Sequence, residues 1–391
     1  MSIVAVNPTR SGQWTPDPGF GVYVHIPFCR HRCHYCDFNT YEGQDDLHGT
    51  YVDALVADIE RWTGERRPAT SVFFGGGTPT LLAPEQLGRI LRAVEATCGI
   101  APGAEVTVEA NPETVDERIF EGLLAAGFNR VSIGVQSLVP KVLVGLGRTH
   151  SSERALDALA AARRAGFSDI SADLIYGSPW ESEDDWVTSL AGVIEAAPDH
   201  VSAYALTIEE STPLATLVAT GRVPDVDPDL QAARHAVADD LLSGAGFERY
   251  EVSNWARPGR ASAHNVLYWC AGDYLGFGAG AHGHVDGERF WTTRLPRDFI
   301  TAVSSGTTTR AGDERLDASQ RAGEALMLGL RLTSGIDLET YSVRFGRDEL
   351  AARAPAIGDL SRTGLLEEVD GKLRMTERGT MLGNEIGAAL L

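Results

Sequence analysis

Apolar residues in this chain recur in two rhythms that alternate. Short runs rich in β-branched and aromatic residues occur at Val22–Ile26, Ser71–Phe74, Glu105–Glu109, Arg130–Val135, Ile170–Ile175 and His200–Leu206. Each reads as a strand, because short apolar runs of this kind suit a sheet covered on both faces. Between them the spacing becomes helical. Val52, Leu55, Val56 and Ile59 fall at i, i+3, i+4 and i+7, and Leu87, Ile90, Leu91 and Val94 repeat the pattern behind Pro84. Thr114 with Glu117 reads as a capping box ahead of Ile119, Phe120, Leu123 and Leu124, and Ser182 with Asp185 opens a helix carrying Trp186, Leu190 and Ile194. Six strand–helix units in a row predict an α/β fold with a parallel sheet and right-handed crossovers. Two architectures satisfy this: an open doubly wound sheet, or a barrel-like sheet of (β/α) units. In both, chemistry belongs at the carboxyl ends of the strands, where glycines after several runs leave room for a ligand.

The pattern changes from about Phe247. Tyr250, Trp255, Tyr268, Trp269, Tyr274 and Phe277 interleave with glycines, so residues 247–314 are expected to close the edge of the sheet. Residues 315–391 read as a separate small α+β domain. Ala322, Ala325, Leu326 and Leu330 predict a helix, and Asp370-Gly371 between Leu365–Val369 and Lys372–Met375 predicts a tight hairpin. Helices followed by a hairpin are similar to a winged helix. DNA binding is nevertheless not expected, because the segment holds 10 basic and 12 acidic residues without a basic stripe. Residues 1–20, punctuated by Pro and Gly, are expected to be a flexible segment, leaving 21–246 as the core.

Charge narrows the partners. The 54 acidic and 34 basic side chains among 391 residues leave a formal net charge of -20, which argues against broad nucleic-acid or anionic-membrane binding. No apolar stretch is long enough to span a membrane, and no apolar signal-peptide region is seen near Met1, so a cytoplasmic protein is expected. Of five cysteines, Cys29, Cys33 and Cys36 sit in one C-x3-C-x2-C loop directly after the first strand, while Cys98 and Cys270 read as isolated buried thiols. A zinc ribbon needs a second Cys or His pair, and none occurs at conventional spacing. Three thiolates on one loop suit three irons of a [4Fe–4S] cluster, with the fourth iron open to an exogenous ligand. Zinc, or three unrelated thiols, is the competing reading.

The stretch from Tyr23 to Cys36, YVHIPFCRHRCHYC, resembles the radical S-adenosylmethionine (SAM) superfamily, and more narrowly the oxygen-independent coproporphyrinogen III oxidase branch. Further matches are Gly75–Pro79, Glu109–Pro112, Arg130–Ser137, Asp173–Gly177, Tyr204–Leu206 and Tyr250–Ala256. The resemblance implies a partial (β/α)6 barrel with a small winged-helix-like C-terminal domain, a cluster held by Cys29, Cys33 and Cys36, and exchangeable SAM on the open iron. It places Tyr23, Tyr35, Gly76, Gly77, Thr78, Glu109, Gln136, Arg148, Asp173, Ala205 and His282 around SAM. The oxidases themselves carry Cys-x-Cys at the end of the triplet and a longer N-terminal extension, whereas Asp37-Phe38 follows Cys36 here. The His264-Asn-Val-Leu-Tyr268-Trp269 element is instead similar to haem chaperones of that branch. That resemblance implies haem as cargo, with His264 as iron ligand, Tyr268 and Trp269 against the porphyrin, and His282 or His284 as alternative ligands. It also implies handover of haem to an acceptor protein, for which a membrane respiratory complex is one choice. No catalytic residue is assigned. The alternative is oxidative decarboxylation of coproporphyrinogen III propionates to vinyls. Without the resemblance, His264 reads as a residue tying an edge loop to a carbonyl. His150, His200 and His235 read as surface or capping residues.

Overall fold

A computed structural model describes residues 8–391 of the chain. Six strands run parallel: β1 (Phe20–Ile26), β2 (Ala69–Gly76), β3 (Ile100–Ala110), β4 (Arg130–Gln136), β5 (Ile170–Tyr176) and β6 (His200–Ala205). They lie side by side in chain order, so the sheet has no point at which the order reverses. A doubly wound sheet requires such a reversal, and its absence selects the barrel-like alternative. With every right-handed crossover stepping the same way, the helices pack on one face and the other is left for a ligand. Val52, Leu55 and Ile59 on the helix His48–Glu60 and Leu87, Ile90 and Val94 on Pro84–Thr97 are buried in the common core with Val22, Val72 and Val108. Ser182 and Asp185 form the expected capping box. Thr114 does not: it ends a short 3-10 turn, and Asp116 caps the helix Glu117–Ala126 by accepting from the Ile119 amide. The hydroxyl of Thr114 is taken by Thr80 at 2.7 Å and by the Asn111 carbonyl at 2.8 Å.

Residues 247–314 extend the sheet at both edges. Strands β7 (Glu248–Glu251) and β8 (Asn254–Ala256) add antiparallel beyond β6. On the other side β9 (Asp273–Phe277) pairs parallel with β1, followed by antiparallel β10 (His282–Val285), β11 (Glu288–Thr292) and β12 (Arg310–Arg315). The result is one 12-stranded sheet whose end strands, β12 and β7, do not pair. The segment expected to close the edge therefore lengthens an open barrel.

Part of the segment expected to be flexible lies outside the described residues, and the rest is tied down. Arg10 ion-pairs with Asp169 and Glu105, Trp14 packs against the C-terminal core, and the Thr15 amide lies 3.4 Å from the Cys270 sulfur. The C-terminal unit contains the helices Ala318–Gly329, Leu338–Phe345 and Arg347–Arg362 and a small sheet of β13 (Ile336–Asp337), β14 (Leu366–Val369) and β15 (Lys372–Met375). Asp370 and Gly371 both have positive φ, 53° and 75°, as the two-residue hairpin between β14 and β15 requires. Leu326, Ile336, Tyr341, Leu373 and Ile386 form its core. Among the described residues no helix is long and apolar enough to cross a membrane.

Candidate functional site

Alternation along the parallel strands builds the site, because residues two apart share a face. Arg130, Ser132, Gly134 and Gln136 of β4 all line one cavity of about 460 Å³, with Asp173 and Ile175 of β5 and Ser202 and Tyr204 of β6. The loop after β1 contributes Cys29, Cys33, Tyr35 and Cys36 to the same cavity, the end of β2 contributes Gly76, Gly77 and Thr78, and β3 contributes Glu109. Arg148 and Ala205 line it as well. Asn111, Arg130, Ser132, Tyr204 and Asn265 also line it and were not singled out from the sequence. For Ser132 the period-2 spacing from Gln136 was the available signal, and for Asn111 its place two residues after Glu109.

The cysteine loop is held by backbone. The Cys29 amide donates to the Tyr41 carbonyl at 3.0 Å and the Cys36 amide to the Cys33 carbonyl at 3.2 Å. The Gly77 and Thr78 amides donate to Ile26 and Phe28 carbonyls at 2.8 and 2.7 Å, fastening the loop to the end of β2. A Cβ on Gly77 would stand 2.4 Å from the Phe28 carbonyl oxygen, so this approach needs glycine. The Thr78 hydroxyl lies 3.8 Å from Cys29 sulfur, and an Arg148 guanidinium nitrogen 3.4 Å from Cys33 sulfur. Burial pushes the Cys29 thiol up to about 11 and raises Cys36 as well. Thiolates here therefore call for a neighbouring cation, as iron would be. Among the described residues no three His, Cys, Asp or Glu groups converge as on a single metal ion. In a cubane cluster each thiolate meets a different iron, so the donor set suits a cluster better than one ion.

Of the four carboxyls that line the cavity, Glu109 and Asp173 belong to the parallel strands. Glu109 accepts from the Gly76 amide at 3.1 Å, and burial, reinforced by nearby Asp173, pushes its carboxyl up to about 8. Asp173 is raised by burial too, but accepts from the Ser132 hydroxyl at 2.8 and 2.9 Å and from Ser171 at 3.1 Å. Its hydrogen-bond partners within the protein are hydroxyls. Arg148 donates to Asn111 Oδ1 at 2.8 Å and to the Gly134 carbonyl at 2.9 Å. Gln136 has a φ of 64°, a left-handed backbone that is costly for a non-glycine residue, and it turns the chain at the mouth of the cavity.

Three residues expected to touch a ligand make other contacts here. Tyr23 does not line the cavity; its hydroxyl lies 2.9 Å from His25 Nδ1 and its ring stacks near Phe73. His282 is exposed on β10, beside Trp291, and lines neither this cavity nor the second one. His264 is buried in the helix Ala263–Trp269, with Nδ1 2.9 Å from the Ser71 hydroxyl and Nε2 2.9 Å from the Tyr268 hydroxyl. Both nitrogens are thus occupied by the protein itself, and its ring stacks on Phe73, so no edge is presented to an iron. Burial lowers His264 to about 3, keeping it neutral. The helix it belongs to plugs the sheet: Glu105 accepts from the Ala263 and His264 amides at 2.9 and 3.1 Å, and Arg130 pairs with Glu105 at 4.0 Å and Asp169 at 3.6 Å. His150, His200 and His235 are likewise buried, bonded to the Val135 carbonyl, to Ser171 with Tyr250, and to the Val252 carbonyl.

Known proteins resemble the chain at both levels. Residues 23–191 match the Radical SAM superfamily, and residues 316–382 the HemN C-terminal domain. A heme chaperone HemW from Mycobacterium tuberculosis is 41% identical over 384 residues, covering 96% of each chain. Its namesake in Bacillus subtilis is 32% identical, covering 94% of this chain and 98% of that one. The mitochondrial radical S-adenosyl methionine domain-containing protein 1 of Bos taurus is 39% identical over 91% of this chain and 84% of its own. Among solved structures, coproporphyrinogen III oxidase (HemN) from Escherichia coli superposes with a TM-score of 0.81 over 97% of this chain and 92% of that one. At 23% identity that likeness is one of fold.

Proposed function

Because the chain belongs to the HemW family of the radical SAM superfamily, we propose that it is a haem chaperone. It binds haem and hands it to an acceptor protein on a scaffold that carries a [4Fe–4S] cluster and SAM. The observation that carries this reading is the match to HemW along nearly the whole chain, including the C-terminal unit.

Cys29, Cys33 and Cys36 are the proposed cluster ligands. When bound, the cluster supplies an electron and an open iron for the amino and carboxylate groups of SAM. The protein's part is to hold these groups. Arg148, beside the Cys33 sulfur, offsets thiolate charge and keeps that side of the loop in place. Gly76, Gly77 and Thr78 give close backbone approach at the end of β2. A Cβ on Gly76 would meet the His25 ring at 2.4 Å. Glu109 accepts from the amino group of SAM: those N–H donors favour its carboxylate over the protonated acid that burial otherwise keeps there. Gln136, Asp173 and Ala205 stand where ribose hydroxyls and the adenine edge can be bonded, and Tyr35 offers a ring to the same space. The haem acceptor is a protein met in the cytoplasm or at the cytoplasmic side of a respiratory membrane.

Anaerobic reconstitution tests the reading. The cluster-loaded protein is given ferric haem in one arm and coproporphyrinogen III, SAM and a reductant in the other. Tight haem binding without protoporphyrinogen formation is expected. Reproducible conversion of coproporphyrinogen without haem binding overturns the proposal.

A further inference from the structure

A second cavity, of about 580 Å³, opens where Tyr268 and Trp269 face β9, β10 and the C-terminal domain. It shares no lining residue with the first. Its size lies within the range of small-molecule sites, ~300–1,000 Å³. Three kinds of group meet in it. Tyr268, Trp269, Tyr274 and Phe345 give an aromatic wall. Four arginines, Arg67, Arg289, Arg321 and Arg344, stand against three carboxylates, Asp17, Asp273 and Glu324, a local excess of cation in a chain of net charge -20. Arg67 and Arg289 are paired with Asp273 and Glu324 at 2.8 and 2.6 Å. Arg344 instead donates to the Cys270 and Ala271 carbonyls at 2.5 and 2.6 Å, and Arg321 makes no ion pair among the described residues. Both cations can therefore meet an incoming acid without breaking a salt bridge.

The third group is His284 on β10. Its Nδ1 stands 4.0 Å from the Asp273 carboxylate, while its Nε2 is buried with no hydrogen-bond partner. A buried, unpartnered ring nitrogen is costly. The carboxylate faces Nδ1 from beyond hydrogen-bond distance, and Nε2 is the ring nitrogen left without a partner to ligate a metal. Trp269 Nε1, also buried and unpartnered, is a second donor without a mate in this region.

We propose that this cavity is the haem-docking site, with His284 as axial ligand, the aromatic wall against the porphyrin, and Arg321 and Arg344 toward the propionates. The inference rests on the chaperone reading above and gives it a location. It keeps Tyr268 and Trp269 of the H-N-x-x-Y-W element as haem contacts and assigns the iron to His284 in place of His264, which remains a structural link through its bond to Tyr268.

The test titrates the full-length protein with ferric haem and with metal-free protoporphyrin IX. His284→Gly is expected to weaken ferric haem by about tenfold or more, the scale seen even for groups that only orient a metal ligand. It should shift the haem Soret band, spare metal-free protoporphyrin, and recover the wild-type haem spectrum on adding free imidazole. Arg321→Glu should weaken both porphyrins, and His282→Ala neither. If His284→Gly also loses metal-free protoporphyrin, imidazole decides: recovery of the spectrum supports the site and none overturns it. Wild-type protein that binds no haem defeats the chaperone reading itself. Wild-type binding that His284→Gly leaves unchanged in affinity and spectrum overturns the site and leaves that reading standing.

Discussion

Glu109→Gln isolates a single buried proton. In the folded protein burial pushes the Glu109 carboxyl up to about 8 from an ordinary 4.5. Between those values the native state holds a proton that the unfolded state has released, so stability falls as pH rises through this window and is flat above it. At about 1.36 kcal/mol per unit, the full penalty is on the order of 5 kcal/mol, and the part added between pH 6 and pH 8 is about 2 kcal/mol. Glutamine keeps an acceptor for the Gly76 amide and cannot ionise. Urea unfolding of both proteins from pH 6 to 9 is the assay. The gap between them should widen by about 2 kcal/mol toward pH 8 in favour of Glu109→Gln. SAM should reverse the effect in the cluster-loaded wild type, because its amino group stabilises the carboxylate. Calorimetry in buffers of different ionisation enthalpy should show more protons released per SAM at pH 7 in the wild type than in the variant, the excess being the Glu109 proton. Parallel stability curves would refute the assignment of a buried protonated carboxyl, and equal proton release would refute its contact with SAM.

Other perturbations probe the parts around it. Arg130→Met leaves Glu105 and Asp169 buried without their innermost cation and should cost about 3–5 kcal/mol in the same unfolding assay. Ser182→Ala removes half of a capping box and should cost about 1 kcal/mol without changing cluster content. Cys33→Ala should abolish the iron–sulfur absorbance after reconstitution, while Cys98→Ala, remote in sequence and buried in the hydrophobic core, should keep it.

The strands were legible because a buried parallel strand is a short run dense in apolar residues, as in Val22–Ile26 and Ile170–Ile175 despite His25, Ser171 and Asp173, and local pattern is enough to see one. The choice between an open doubly wound sheet and a barrel was not, since it depends on the pairing order of strands far apart in the chain. Cavity residues on motif-bearing loops were visible, and so was the hairpin at Asp370-Gly371, where φ must be positive twice. What escaped was settled by distant partners. Arg10 reaches Asp169 across 159 positions, so the leading segment looked loose. His264 took its ligand role from the family resemblance alone, and nothing local shows that Ser71, 193 positions away, bonds its Nδ1. Thr114 looked like a cap because Asp116 competes for the same helix end and wins through its carboxylate. His284 drew little attention because its cavity is assembled from segments as distant as Asp17 and Phe345.

The most direct measurement of the central claim is transfer. The anaerobically reconstituted protein, loaded with haem and freed of excess, is mixed with a haem-free acceptor such as an apo-globin across a size-separating column. The account predicts that haem travels on this chain and then appears in the acceptor. Haem that never stays with the chain, while coproporphyrinogen III is turned over in the presence of SAM, would contradict it.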